Sequence, residues 1–424
     1  MERKIYNDLL KWKKEAKKPL LLYGAKQVGK TYSVINFGKK NYKNVVYFNT
    51  ENNKELLDIL KREKVIDKII LKLSVLSGET IFKEDTLIVL DNVNNPYIVK
   101  SIKLFGAFDN SYHIIMITSR KENLTKFKGE ELYFKAMYPM DFEEFLVNTG
   151  KKQLVDFIKE SYTNNTPMPF HQMALEIYND FLITGGYPEV VLAYINQVDY
   201  LLIESIKQKI IDVIKKETIT TNTKNLIDVL RANEVLDSLS YQLIKENKKF
   251  QYGNIKKGSR SKDYENSINT LGINQLIHRS FKLNDIKSPL SSYKDIESFK
   301  LYPNDVGILY TMLHLNKMKY MTDDNIKRTL IENNVANTLV NLGYSLYYYQ
   351  SEGKTEISFI IQNRLGQIIP IEILNMNLTK AKALSLFMTK FKVDNPIRLT
   401  EDNFSKKKNI KYVPIYASFC LKEL

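Results

Sequence analysis

Leu20-Leu21-Leu22-Tyr23-Gly24-Ala25-Lys26-Gln27-Val28-Gly29-Lys30-Thr31 is an apolar run that breaks into the pattern Gly-x-x-x-x-Gly-Lys-Thr. Tyr32-Ser33-Val34-Ile35-Asn36-Phe37, a helix-compatible stretch, follows it. A strand, a glycine-bounded loop and a helix in that order are what a phosphate-binding loop requires. Backbone N–H groups must converge on an anion, so side chains are kept out of the way at Gly24 and Gly29. The N-terminus of the following helix points at the same anion. Residues 24–32, from Gly24 through Ala25, Lys26, Gln27, Val28, Gly29 and Lys30 to Thr31 and Tyr32, are therefore the candidate nucleotide cradle. Lys30 can reach terminal phosphates, and the Thr31 hydroxyl can hold Mg²⁺. A βα turn without a ligand would leave Lys30-Thr31 unexplained.

Outward from this loop, short apolar runs alternate with helical stretches. Residues 44–49, 85–91 and 113–119 read as strands, and residues 4–17 and 54–62 as helices. Continuous apolar strands separated by helices predict a parallel sheet covered on both faces. Ligands of such sheets sit at the carboxyl ends of the strands. Leu87-Ile88-Val89-Leu90-Asp91 has the form of a Walker B strand, which assigns Asp91 to Mg²⁺ beside Thr31. Asn92 follows it, and an amide can orient a water but cannot accept its proton. Thr118 or Ser119, ending the neighbouring strand, is placed to sense a γ-phosphate. Arg120 reads either as a charge clamp or as a plain surface arginine.

The chain has 424 residues, a hydrophobic fraction of 44% and a formal net charge of +15. That length predicts more than one domain. The basic balance fits a nucleic-acid partner, and it fits equally a sequence biased toward Lys, Asn, Ile and Tyr. A single cysteine, Cys420, excludes internal disulfides, as a reducing compartment favours. No apolar run reaches the roughly 20 residues of a membrane span, and Met1-Glu2-Arg3-Lys4-Ile5-Tyr6 has no apolar leader. The expectation is a cytoplasmic protein without a membrane segment.

Farther along, Asp141 reads as the N-cap of a helix carrying Phe142, Phe145 and Leu146. Residues 151–217 are mostly helical, broken by Thr184-Gly185-Gly186-Tyr187-Pro188-Glu189. Residues 222–285 read as a small helical module. Within residues 245–262, Lys245, Lys248, Lys249, Lys256, Lys257, Arg260 and Lys262 face a single acid, Glu246. A basic hairpin there would make a winged helix whose cations contact DNA phosphates; the alternative is a solvated loop. The last part holds a strand and turn from Phe299, a helix over 325–342 with Glu332, and strands over 344–349, 357–361 and 368–373. A helix from about Thr379 and a strand over 412–416 complete an α/β unit.

Taken together, the chain resembles prokaryotic AAA-type P-loop ATPases fused to a C-terminal restriction-endonuclease-like domain. The motifs that carry the likeness are the loop at 24–31, the Asp91 strand, Pro139-Met140-Asp141-Phe142-Glu143-Glu144-Phe145, Gly185-Gly186-Tyr187-Pro188-Glu189, Phe299-Lys300-Leu301-Tyr302 with Asp305-Val306-Gly307, and Glu356-Ile357-Ser358-Phe359 with Pro370-Ile371-Glu372-Ile373. The resemblance implies an α/β ATPase domain over 1–150, a helical lid over 151–220, a winged-helix-like module over 221–298 and a nuclease-like domain over 299–424. It implies ATP and Mg²⁺ as ligands, with Lys30, Asp91, Asn92 and Ser119 at the reacting end. Two departures stand out. Asn92 replaces the glutamate usual after the Walker B aspartate. In the nuclease-like pattern Glu332 and Glu372 fit, but Ser358 and Leu374 stand where Asp and Lys are needed, so that domain is expected to be inert. The expected function is slow Mg-dependent ATP hydrolysis coupled to domain movement. The alternative is a switch that binds ATP with negligible hydrolysis and holds a DNA or protein partner.

Overall fold

A computed structural model describes the chain except residues 16–17, 52, 109–110, 128–130, 221–225, 315–321, 352–355, 375–382 and 424. The chain divides into two compact units. The first comprises Met1–Tyr138 and Ile273–Leu276, and the second Pro139–Gly272 and Ile277–Leu424.

The first unit begins with α1 (Ile5–Glu15), whose Ile5, Leu9 and Trp12 are buried one helical turn apart. Then come β1 (Leu20–Tyr23), α2 (Lys30–Asn41), β2 (Asn44–Asn49), α3 (Lys54–Arg62), α4 (Ile66–Ser77), β3 (Thr86–Asp91), α5 (Pro96–Phe108), β4 (His113–Thr118) and β5 (Tyr133–Ala136). The five strands lie in the order β2-β3-β4-β1-β5, every neighbouring pair parallel. Alternation sends Leu21, Phe48, Ile88, Leu90, Ile114 and Met116 to one face, where they meet Leu56, Leu60, Leu73, Ile102 and Phe105 from α3, α4 and α5. All six residues of β3 are buried, as expected of an interior parallel strand with both faces covered.

In the second unit α6 (Phe142–Asn148) opens on a capping box. Asp141 accepts from the Glu144 N–H at 2.9 Å, and Glu144 accepts from the Asp141 N–H at 3.3 Å. The domain boundary expected at residue 150 therefore moves back to Tyr138. Residues 139–148 are committed elsewhere: the Met140 N–H donates to Gly186 O at 2.7 Å, and the Phe142 and Phe145 rings meet Tyr178 and Phe181, each at 5.1 Å.

The helices read over 151–217 are α7 (Lys152–Asn164), α8 (His171–Thr184), α9 (Pro188–Ile195) and α10 (Tyr200–Thr220). They are built into the second unit. Tyr178 on α8 accepts from the buried Asn334 amide at 2.8 Å, and His171 bonds Tyr416 and the Glu401 carbonyl at 2.9 Å each.

After α11 (Leu226–Leu243) and α12 (Ser261–Ile273), eight strands form one mixed sheet. They are β6 (Ile277–Leu283), β7 (Lys294–Pro303), β8 (Leu346–Gln350), β9 (Glu356–Gln362), β10 (Ile368–Ile373), β11 (Ile397–Thr400), β12 (Ser405–Lys407) and β13 (Ile410–Pro414), in the order β12-β13-β11-β10-β9-β8-β6-β7. Short α13 (Val306–Met312), long α14 (Asp324–Asn341) and α15 (Ala383–Phe391) accompany them. The start of α15 expected near Thr379 lies outside the described residues.

This sheet overturns the winged-helix reading. β6 runs parallel to β8, and β7 spans the boundary expected at 299, so both strands belong to the C-terminal sheet. No strand lies in 245–262; its only regular element before α12 is a 3₁₀ turn at Tyr252–Asn254. The physical reason is that two of its lysines are used internally, although Lys245 is exposed. Lys248 is buried and donates to Glu332 at 2.7 Å, and Lys249 donates to Ser298 Oγ at 2.8 Å. Lys256, Lys257, Arg260 and Lys262 remain exposed in an irregular segment and the start of α12.

The glycine motifs of this unit also find their reason. A Cβ on Gly186 would lie 1.9 Å from Met140 O, and one on Gly307 would lie 2.3 Å from Thr184 O. Asp305 ties the segments together, accepting from the Gly186 N–H at 2.7 Å and the Ile308 N–H at 3.0 Å. Pro139-Met140-Asp141, Gly185-Gly186 and Asp305-Val306-Gly307 thus meet as three segments of one junction.

Candidate functional site: the phosphate loop and its acid

The loop between β1 and α2 leaves the sheet at Gly24, the point of closest backbone approach: a Cβ there would lie 2.0 Å from Met137 O. Gly29 ends the loop at φ 92°, ψ 21°, a left-handed conformation, as the N-cap of α2. No side chain caps that helix, so its first N–H groups are left facing the loop. Lys30 is buried and its Nζ donates to Gly24 O at 2.8 Å and Ala25 O at 2.6 Å. Its charge is thus held over the loop rather than in solvent. Lys26, Gln27 and Val28 form the turn, with Gln27 at φ 62°. Tyr32, by contrast, is 60% exposed on α2. Arg3 braces the loop from outside the motif, donating to Val28 O at 2.6 Å and to Tyr138 O at 2.7 Å.

Asp91 arrives from the end of β3. Its Oδ2 accepts from Thr31 Oγ1 at 2.7 Å and from Tyr47 OH at 3.0 Å, and its Oδ1 accepts from the Asn92 N–H at 2.8 Å. Burial first, and Asp91 second, push the Tyr47 phenol up to about 12, so it stays a donor near neutral pH. A hydroxyl and a carboxylate are the hard oxygen donors that Mg²⁺ takes, and Thr31 and Asp91 present them side by side. The residues fit the ion.

Asn92 is at φ 58°, and its side-chain amide donates to Asn49 Oδ1 at 3.2 Å. In this structure it is turned toward β2. Ser119 follows Thr118, which lies in register with Tyr23, and the Gly24 N–H donates to Thr118 O at 3.3 Å. Ser119 therefore sits at the start of the loop. Thr118 itself is buried, donating to Asn94 Oδ1 at 3.4 Å and accepting from the Arg120 N–H at 2.9 Å. Arg120 leads into a 3₁₀ turn at Lys121–Leu124.

Arg3, Tyr47, Asn49 and Asn94 join the site without having been singled out in the sequence. Tyr47 and Asn49 carried a usable signal: they are the polar alternates of a strand that pairs with the Asp91 strand. Arg3 carried none.

The nuclease-like residues are disposed otherwise. Glu332 is buried on α14 between Lys248 at 2.7 Å and Lys300 at 3.2 Å, with Tyr302 OH at 2.6 Å. Burial by itself would raise its carboxyl; the two lysines prevail and hold it well below the usual range. Glu372 on β10 is paired with Arg398 at 2.7 Å. Ser358 Oγ accepts from the Ile373 N–H at 3.3 Å, and Leu374 follows β10. Among the described residues no cluster of three or more His, Cys, Asp and Glu side chains could hold a metal. Nor is any described helix long and apolar enough to cross a membrane.

Three family models match successive parts of the chain: an AAA domain over residues 16–146, a domain of unknown function (DUF8612) over 175–319, and another (DUF4143) over 327–417. The chain is similar to an uncharacterized protein of Methanocaldococcus jannaschii, 23% identical over 94% of this chain and 84% of that one. Among solved structures it is similar to a Walker-type ATPase of Pyrococcus abyssi (14% identity, 74% of this chain and 96% of that one, TM-score 0.41). Another is the AMPPCP-bound DnaA of Aquifex aeolicus (12% identity, 64% and 86%, TM-score 0.29). The C-terminal match is to a domain of unknown function and lends no support to the restriction-endonuclease likeness. The AAA-domain match spans the loop, the Asp91 strand and Ser119, and it supports a P-loop ATPase fold with a nucleotide-binding site.

Proposed function

We propose that the chain binds ATP with Mg²⁺ at residues 24–32 and hydrolyses it slowly, its nucleotide state driving movement of the second unit. The observation that carries this reading is the 2.7 Å bond between Thr31 Oγ1 and Asp91 Oδ2, made by residues 60 positions apart. It joins the hydroxyl and the acid of two separate motifs at one point of the sheet edge.

Lys30 would balance the charge of the terminal phosphates, Thr31 and Asp91 would hold Mg²⁺, and Ser119 would stand beside the γ-phosphate. Bound there, Mg²⁺ supplies charge neutralisation at the phosphate oxygens. Asn92 would orient the attacking water without taking its proton, which is why turnover is slow. The test is ATP affinity by calorimetry beside single-turnover hydrolysis in one preparation. Tight, Mg-dependent binding with slow turnover is expected; absence of ATP binding would overturn the reading.

A second reading, an ATP-dependent switch with negligible hydrolysis that holds a protein or DNA partner, is favoured by one observation. The Asn92 amide is not basic, and it is engaged by Asn49. Turnover indistinguishable from buffer, with tight binding, would select it. For the second unit we propose a catalytically inert nuclease-like sheet, a reading supported by the cations that hold Glu332 and Glu372.

A further inference from the structure

We infer that Tyr47 is a positioning residue for the divalent cation: its hydroxyl fixes the orientation of the Asp91 carboxylate, and with it the metal side of the site. This rests on the reading of Thr31 and Asp91 as the residues that hold Mg²⁺. Tyr47 lies on β2, the strand at one edge of the sheet. Asn49, not Tyr47, is the register partner of Asp91; Tyr47 pairs with Val89. Tyr47 therefore shares a face with Asp91 one diagonal step away, and a ring is long enough to span that step.

Its hydroxyl ends 3.0 Å from Oδ2, the same oxygen that accepts from Thr31. Tyr47 remains 43% exposed, so packing alone does not account for an aromatic residue there. The rest of β2's carboxyl end serves the same purpose on the backbone. The Thr50 N–H donates to Asp91 O at 2.9 Å, and Thr50 Oγ1 donates to Asn92 O at 2.8 Å. With the backbone pinned, the carboxylate's remaining freedom is rotation about its own bonds. The Asn92 N–H holds one oxygen, and Thr31 and Tyr47 hold the other. Thr31 is the residue whose hydroxyl would also face the cation, which leaves Tyr47 as the donor on Oδ2 that serves the carboxylate alone.

Tyr47→Phe removes the hydroxyl and keeps the ring. Affinity for a non-hydrolysable ATP analogue, measured by calorimetry in EDTA, should be unchanged. The Mg²⁺ concentration that gives half of the metal-dependent gain in affinity should rise about tenfold, the low end of what hydrogen-bond partners of metal ligands contribute to metal binding. Mn²⁺ titrated into the protein–analogue complex and followed by electron paramagnetic resonance should show the same weakening without any turnover. Superimposable Mg²⁺ and Mn²⁺ titrations for the two proteins would overturn the inference. Analogue binding by the wild type that is indifferent to both metals would overturn the reading of Thr31 and Asp91, and this inference with it.

Discussion

Asp91 in the first unit and Glu332 in the second are both buried acids at the meeting point of several elements, yet their surroundings differ in kind. Asp91 is held by two hydroxyls and a backbone N–H, all neutral donors. Glu332 is held by Lys248 and Lys300, with Tyr302 as a third donor. Glu372 repeats the second pattern with Arg398. Neutral dipoles orient a carboxylate and leave its charge to be met by something else. Internal cations meet that charge within the fold. The first arrangement suits an acid that must receive a metal; the second suits an acid that fixes a core.

The largest effect expected from this contrast is on stability. Glu332→Gln leaves Lys248 buried with its counter-charge gone, while Lys300 keeps Glu356 at 2.6 Å, and breaking a buried pair in this way costs about 3–5 kcal/mol. Urea unfolding would measure it, and a loss below about 1 kcal/mol, the level of a surface pair, would break the comparison. The sign with pH follows from the lowered carboxyl. Its contribution is present above the ordinary glutamate range, near 4.3, and is lost as pH falls below it toward the folded value. Asp305 has the opposite sign. Burial raises its carboxyl to about 6 despite the N–H groups of Gly186 and Ile308. Its contribution is full below the ordinary aspartate range and falls away as pH rises to about 6. Asp305→Asn, which keeps an N-cap acceptor, should therefore gain on the wild type between pH 4 and pH 6, by about 1–3 kcal/mol. Denaturation of both proteins at the two pH values decides it.

Binding comes next in size. Lys30→Ala should weaken ATP by about 10–100-fold, the range of hydrogen bonds to charged groups, with the melting temperature little changed. Calorimetry giving equal affinities would show that the loop is not a phosphate cradle. The smallest expected effect sharpens the role of Asn92. General-base help is worth about 10²–10⁴-fold, and Asn92→Glu should recover at least roughly tenfold in single-turnover hydrolysis. Because Asn92 is bonded to Asn49, the new acid must also leave β2 to work. Fast wild-type hydrolysis that the substitution does not improve would place the water with another group.

Much of the first unit was legible because its signals are local. The Gly24–Thr31 spacing and the apolar runs ending in Asp91 and Thr118 each depend on a few adjacent residues, as does the Asp141 cap that opens the second unit. Strands β2 and β10 fall where short runs rich in β-branched and aromatic side chains place them. α4 and α5 escaped because Ile66, Ile69, Ile70, Ile98, Val99 and Ile102 are as strand-like as they are helical. The errors lie where one local pattern serves a distant partner. Lys248 and Lys249 look like a DNA-facing run until Glu332 and Ser298, far along the chain, claim them. Strand β6 falls at the end of the module read over 222–285 until it pairs with β8. Tyr47 shows the same blindness at the site itself, since its partner is on another strand.

The first unit takes back Ile273–Leu276 after the chain has already built α6 to α12 in the second. Within this short return, Asn274 Oδ1 accepts from the Glu122 N–H at 3.3 Å, in the turn that follows β4. During synthesis, therefore, the first unit is complete only after Ile273–Leu276 has followed its last sheet strand out of the ribosome. At roughly 5–20 residues per second, the stretch from Tyr138 to Leu276 delays its completion by many seconds. A ribosome stalled at residue 200, with β5 already clear of the exit tunnel, should expose a nascent first unit that proteases cut near Glu122, whereas one stalled well past Leu276 should not.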